Sequence, residues 1–326
     1  MPLQPISWPN GHRFAFSIID DTDNATLANT RPVYSHLSVN GVFITKTVWP
    51  LASDPRDRFA GESLQDGHYR DYVEQLREEG HEIGYHGTRA GRSERSLIHE
   101  GLDFYRECLG VDPRVYAQHA PSVENIYWGE KRASRWPIGK AVARFHQRPE
   151  FLGDEVDSPY FWGDLCRERI SYVRNFGFRH ANVRQSDPFM PYHDPARPYV
   201  NAWFSSSGYP LKLSRLDEVL TESLLDEWER TGACVILGGH LGQGFSDGRS
   251  VSRSFARGVE RLARRNGWFA PAGDLLDHIG RQRAQRNEPE IHPLRPSERL
   301  RLELRWTRDL GQKVLADRSA RLRKAA

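Results

Sequence analysis

The sequence predicts an α/β protein, a closed or nearly closed β/α barrel, on two observations. Short apolar runs alternate with helical patterns through about 280 of the 326 residues, more alternation than a small doubly wound sheet uses. Polar residues then stand at the ends of four of those runs, where a parallel β/α fold collects its reactive groups.

The elements follow in order. Residues 13–19 are a buried-strand pattern ending in Asp20-Asp21-Thr22-Asp23, with Asp23 positioned to cap a helix starting near Asn24. A second strand covers 41–49 and stops at Pro50. Tyr69, Tyr72, Val73 and Leu76 recur at helical spacing before Gly80, a natural C-terminal stop. Residues 81–86 form the next strand, 93–109 a helix and 114–119 another strand. The stretch 121–210 is rich in Pro, Gly and aromatics, with weak strand patterns at 170–183 and 199–204. Alternation resumes with a helix at 214–230 and a buried strand at 233–237. Val251, Phe255, Val259 and Leu262 mark a further helix, expected to be capped by Gly267, and 268–270 a last short strand. The domain expectation is a barrel over 1–280 and a basic helical tail over 281–326. In the tail Leu302, Trp306, Leu310 and Val314 line one side of a helix at 297–323.

Composition narrows the classes. With 38% hydrophobic and 27% charged residues, the chain can bury a core and is not a disordered polymer. No apolar run approaches the ~18 residues of a membrane span. The opening Met1-Pro2-Leu3-Gln4-Pro5 lacks the pattern of a secretory signal. Cys108, Cys166 and Cys234 are far apart and odd in number, neither a disulfide framework nor a zinc knuckle. The expectation is a cytoplasmic protein. The net charge of +3 conceals an asymmetry: thirteen Lys or Arg against six Asp or Glu in the tail leave residues 1–280 at −4. That distribution does not suit nucleic acid, whose reader needs a basic folded domain. The tail arginines Arg299, Arg301, Arg305, Arg318, Arg321 and Arg323, with Lys324, could touch an anionic membrane or polymer. Trp306 between Leu302 and Leu310 looks more like a surface packing on the barrel or on a second subunit. The oligomeric state is left open.

The strand-end groups are Asp20-Asp21-Thr22-Asp23, His86, His119 and His240. Carboxylates and imidazoles meeting on one face suit a divalent metal, or a general acid and general base with separated pKa values. Each could also be ordinary, a helix cap or a hydrogen-bonded structural histidine; four coinciding strand ends are harder to explain that way. In the central stretch Asn125, Tyr127, Trp128, Trp162, His180, Asp187, His193 and Asp194 could line a carbohydrate groove, aromatic faces on sugar rings and polar groups on hydroxyls, or could pack long loops onto the barrel. Glu124 has the type of an acid or base but stands alone.

These residues resemble the polysaccharide deacetylase (NodB-homology) family. Asp20-Asp21 after an apolar strand is similar to its first motif, TFDDG, and Gly41-Val42-Phe43-Ile44 to its second strand, ATFF. The run from Tyr72 through Gly80-His81-Glu82-Ile83-Gly84 to His86 is similar to its helix, its GHEIG-like strand and a ligand histidine. Val235-Ile236-Leu237-Gly238-Gly239-His240 is similar to its last catalytic motif, and Gly267-Trp268-Phe269-Ala270-Pro271 with Leu275-Leu276 to its ending. The resemblance implies a partly closed β/α barrel of the deacetylase type with a C-terminal helical extension. It implies a hydrolase that removes an N-acyl group from a sugar or glycan precursor by metal-activated water; with no export signal visible, the expected substrate is a soluble or lipid-linked sugar intermediate. By position it makes Asp20 the general base, Asp21 a ligand of a divalent ion such as zinc, His86 a second ligand and His240 the general acid.

The sequence also departs from the family. Ala90 stands where a second ligand histidine should follow His86, Gln118-His119-Ala120-Pro121 stands near the place of the RxPYG motif, and Thr22 replaces the TFDDG glycine. Two outcomes follow. His119 completes an Asp21/His86/His119 triad, three protein ligands and water being the usual open catalytic site. Alternatively the metal is lost, leaving a carbohydrate-binding protein on a decayed scaffold, or a metal-free hydrolase using Asp20 and His240. Asn125, Tyr127 and Trp128 are the expected sugar contacts.

Overall fold

The computed structural model describes residues 4–133, 150–211 and 216–325, with side chains for all of these except 208–211, 217–218 and 313–325. In chain order the elements are β1 (Phe14–Asp20), α1 (Leu27–Val39), β2 (Thr45–Val48), α2 (Gly67–Glu79), β3 (Glu82–Tyr85), α3 (Arg95–Leu109) and β4 (Val115–Tyr116). There follow α4 (Gly163–Arg169), β5 (Tyr172–Phe178), β6 (Tyr192–His193), β7 (Ala202–Leu211), α5 (Glu222–Thr231) and β8 (Cys234–Gly239). The chain ends with α6 (Arg253–Ala263), β9 (Gly267–Phe269), α7 (Ala272–Ala284), β10 (His292–Pro293) and α8 (Pro296–Ala325).

Strands β1, β2, β3, β4, β5, β7 and β8 pair in parallel, and β7 meets β8, which pairs β1, so the sheet closes into the predicted barrel. Closure is uneven. β1 meets β2 only at Ile19↔Thr45 and Asp20↔Lys46, because lower down the same edge pairs with β9 through Phe14–Phe16. Alternate β1 residues divide the core. Phe14, Phe16 and Ile18 pack with Val33, Tyr34 and Leu37 of α1, whereas Ala15 and Ile19 belong to the other cluster, with Tyr85 and Val173. This is the period-2 consequence of a pleated strand buried on both faces.

Most strand and helix expectations coincide with what forms, and the differences have local causes. Asp23 caps nothing. Helix α1 starts at Thr26, whose side chain accepts from the Asn29 amide while the Asn29 side chain accepts from the Thr26 amide. The helix expected over 214–230 is divided, because Thr221 caps a new helix at Glu222. Gly267 does not cap α6, which ends at Arg264; it opens β9 instead. Gly80 closes α2 in the left-handed conformation as expected, φ 108°.

Helix α8 lies against the barrel through Leu302 and Trp306, both buried; the Trp306 ring is 5.0 Å from that of Phe176 on β5. Its polar side is tied down as well, Arg299 to Asp194 and Arg305 to the carbonyls of Gln185 and Ser186. Leu310 packs against the same cluster. Val314, Arg318, Arg321, Arg323 and Lys324 lie outside the residues whose side chains are described. Among the described residues no helix is long and apolar enough to cross a membrane.

Candidate functional site

The alternation along β1 decides where its terminal carboxylate goes. Asp20 follows Phe14, Phe16 and Ile18 to the helix-covered side. There Oδ1 accepts the Leu241 amide at 2.7 Å, and Oδ2 accepts the Tyr34 hydroxyl at 2.8 Å and stands 3.3 Å from Lys46 Nζ. Asp20 and Lys46 are both fully buried. Burial works against the ammonium, but Tyr69 and Asp20 outweigh it and hold its pKa above the ordinary lysine value. Asp20, the expected general base, thus stands on the helix-covered side of the barrel. Its oxygens are engaged by three donors, and Asp20 anchors the residue that follows His240.

Asp21 and Asp23 lie beyond the end of β1, in the turn that follows it, and meet the strand-end histidines. Asp23 Oδ1 lies 3.3 Å from His86 Nε2 and 3.4 Å from His119 Nε2, while Oδ2 lies 3.1 Å from His240 Nε2. Asp21 Oδ1 is 3.8 Å from His86 Nδ1, and Asp21 Oδ2 accepts Arg174 Nη2 at 2.8 Å. The four strand-end groups of the sequence therefore converge. The tightest trio is Asp23, His86 and His119, so Asp23 takes the place expected of Asp21.

His86 and His119 are held from behind. Gly87, at φ +127°, turns the chain immediately after His86, and a Cβ there would stand 3.3 Å from Trp49. The Trp49 ring packs 4.8 Å from His86 and 5.1 Å from His119, with Phe59 4.9 Å from His119. His119 Nδ1 contacts Ser122 Oγ at 3.1 Å, leaving Nε2 toward Asp23. Ala90 contributes only its amide, which donates to Ser53 Oγ; the third donor comes from the neighbouring strand end.

These residues fit a divalent metal on two grounds. Asp21 Oδ1, Asp23 Oδ1, both nitrogens of His86 and His119 Nε2 are buried without a hydrogen-bond partner, an arrangement that costs free energy unless something else satisfies them. One donor atom from each of Asp23, His86 and His119 lies within 4.8 Å of the others, and the 3.3 and 3.4 Å separations match donors about 2.0–2.2 Å from one tetrahedral ion. Two imidazoles and a carboxylate are also a usual catalytic zinc set. The electrostatics agree. Burial would raise the Asp23 carboxyl, but His240, His86 and His119 hold it well below the usual range. Burial and the neighbouring His86 push His119 down to about 3, leaving a neutral imidazole with a free lone pair. His240 is raised, because Asp23 and Asp21 outweigh its burial.

Beside the trio opens a cavity of about 280 Å³ lined by Asp21, His240, Arg174, Arg132, Trp128 and Ser206, among others. Of the expected sugar contacts only Trp128 borders it. Asn125 is fully buried, donating to the His119 carbonyl at 2.6 Å and accepting from Tyr116, so it braces His119 and meets no groove. Tyr127 faces another cleft, with Asp154 and Lys131, and stacks on Tyr199 at 6.2 Å. Trp162 is buried on the Glu124 carbonyl, Asp187 on Ser205, and Asp194 on Arg197. His193 binds the Val200 carbonyl, and His180 is exposed. Sequence reasoning missed Asp23 as a donor, because it lies in the turn after β1, where strand alternation no longer applies. Arg132 and Arg174 lie in the stretch without periodicity and carried no signal.

No protein-family model matches the chain, and no curated protein matches it significantly. Solved structures share its fold. A probable polysaccharide deacetylase from Pseudomonas aeruginosa PAO1 is 14% identical with a TM-score of 0.51, and Puue allantoinase is 13% identical with a TM-score of 0.50. In both cases the match covers 85% of this chain and 94% of the other. The chain shares the β/α-barrel fold of both proteins.

Proposed function

We propose that this chain is a metal-dependent hydrolase that removes an N-acyl group from a sugar or glycan precursor. Asp23, His86 and His119 hold the divalent ion, zinc by their donor types, and Asp21 and His240 move the protons. The observation that carries this reading is the convergence of buried, unpartnered donor atoms beside a cavity that Asp21 and His240 also line. Bound there, a divalent ion lowers the pKa of water and withdraws charge from a carbonyl oxygen.

Arg174 fixes Asp21 through Oδ2, leaving Oδ1 as the acceptor for the proton of an attacking water. As the oxygen–carbon bond forms and the carbon–nitrogen bond breaks, the departing amine takes a proton from the His240 imidazolium through Nδ1, its Nε2 being held by Asp23 Oδ2 at 3.1 Å. An amide needs that donor because its nitrogen leaves poorly unprotonated. His240 is suited to the role by its raised pKa and by a side chain about one-third exposed. Of the expected contacts Trp128 alone borders this cavity. A metal-free reaction through Asp20 is disfavoured, since Asp20 has no oxygen turned to the cavity.

The test is metal content together with acyl release. The purified chain is expected to retain about one equivalent of zinc after dialysis, lost in Asp23→Ala and His86→Ala, and to release acetate from a member of a panel of N-acetylated sugars. Retention of the ion by both variants defeats the ligand assignment. A metal-loaded chain silent across the panel defeats the hydrolase reading, and a metal-free chain that binds sugar favours the binding scaffold.

A further inference from the structure

We propose that the molecule entering the Asp21–His240 cavity carries an acidic group, a carboxylate or phosphate, that Arg132 receives. The inference rests on reading that cavity as the substrate site and adds a substrate class to it. Arg132 ends the short helical turn Gly129–Arg132 and is 9% exposed, yet it lines the same cavity as Asp21 and His240. Its guanidinium lies 3.6 Å over the Trp128 ring and 5.2 Å from that of Trp306, and its Nε has no hydrogen-bond partner. No carboxylate among the described residues pairs with it.

The neighbouring arginines are different. Arg174 is bonded to Asp21 at 2.8 Å, and Arg197 to Asp194 at 3.1 Å with Glu303 beyond. Among the described residues Arg132 is therefore a desolvated cation without its own counterion, facing two cations whose charges are already matched. Burial and the repulsion of Arg174 and Arg197 push its pKa down to about 9. Protein interiors rarely keep such a group without a purpose, because an unmatched buried charge is costly. Stacking on Trp128 orients the guanidinium plane but supplies no anion. A planar fork held rigidly over an aromatic ring is suited to receive a carboxylate or a phosphate through two parallel hydrogen bonds. The cavity then has two functional sides, Asp21 and His240 for the bond that breaks and Arg132 for the group that identifies the molecule.

Calorimetric titration of the full chain with three sugars tests this. N-acetylglucosamine is neutral, N-acetylglucosamine 6-phosphate adds a phosphate, and N-acetylmuramic acid adds a carboxylate to the same ring and acetamide. At least one acidic sugar is expected to bind about tenfold or more tighter than the neutral one, the strength of a charge-assisted hydrogen bond. Preference for one of the two identifies phosphate or carboxylate as the recognised group. Arg132→Met should bring all three within about twofold, and Arg132→Lys should restore part of the preference. Melting of the ligand-free Met variant at or above the parent temperature is expected, since an unmatched buried cation has gone. A neutral sugar bound as tightly as the acidic ones, no binding by any of the three, or a preference that survives in the Met variant overturns the proposal. The titration reads no acetate, so a silent hydrolase assay with an Arg132-dependent preference would sink the reaction and leave the recognition standing.

Discussion

Replacing Lys46 by methionine removes an ammonium from a place water does not reach. Lys46 Nζ stands 3.3 Å from Asp20 Oδ2, both groups are fully buried, and the rings of Tyr34 and Tyr69 lie 5.3 and 5.8 Å away. The shape of the side chain survives in methionine, so little cavity is created. What changes is that the Asp20 carboxylate keeps only the Tyr34 hydroxyl and the Leu241 amide. Breaking one side of a buried pair costs about 3–5 kcal/mol, most of it the stranded charge. A domain with about 5–15 kcal/mol in reserve stays folded under that loss. Asp20→Asn strands the ammonium instead and should cost a similar amount. Combined, the two changes leave no charge behind. The double variant should then be at least about 2 kcal/mol more stable than the sum of the single effects predicts. Urea unfolding of the four proteins at one pH gives the cycle, and parallel slopes keep the comparison two-state. A Lys46→Met effect below about 1 kcal/mol, the value of a surface pair, or strict additivity in the double variant would refute the assignment of Asp20 to structure and reopen it as a base.

Other perturbations separate the same forces. Glu124 is buried with neither carboxylate oxygen hydrogen-bonded, and burial raises its pKa from 4.5 to about 7. Because the folded chain holds a proton that the unfolded chain releases, stability is full below about pH 4.5, falls between there and pH 7, and is flat above. Urea midpoints should show Glu124→Gln gaining about 2–3 kcal/mol on the parent between pH 5 and pH 8, and a gain independent of pH would contradict the burial argument. Trp306→Ala removes a buried ring packed at a tilt against Phe176 and should cost about 3–5 kcal/mol in the same measurement; a loss under about 1 kcal/mol would mean that α8 is not held by its apolar side.

The barrel was legible because its strands are short apolar runs punctuated by Gly80, Pro50 and polar clusters, signals that depend on local chemistry. Resolution failed where local signals compete. Asp23 and Thr26 are both plausible caps, and only the Asn29 partner three residues on selects Thr26. Asp20-Asp21-Thr22-Asp23 reads as one acidic cluster, but the strand ends at Asp20, which its alternation places with Ile18, and the turn that follows carries Asp21 and Asp23 to the histidines. Lys46 lies between Thr45 and Thr47 in a strand pattern that gave no hint that one of those carboxylates would be buried opposite it. The central stretch gave no handle either. Asn125 and Tyr127 have the chemistry of sugar contacts, and only tertiary packing turns one behind His119 and the other into a separate cleft. Arg132 and Arg174 are two among many arginines in the chain, and composition does not reveal which lacks a counterion.

Helix α8 bears on work that trims the chain. Trp306 is sandwiched near Phe176, which lines the cavity, and stands 5.2 Å from the Arg132 guanidinium, while Arg299 of the same helix neutralises Asp194. Deleting everything after residue 295 would strip a back wall from the cavity and expose a carboxylate set deep in the body. An expression variant shortened there would be a lesion at the heart of the molecule, introduced nearly two hundred residues downstream of the nearest imidazole of the trio.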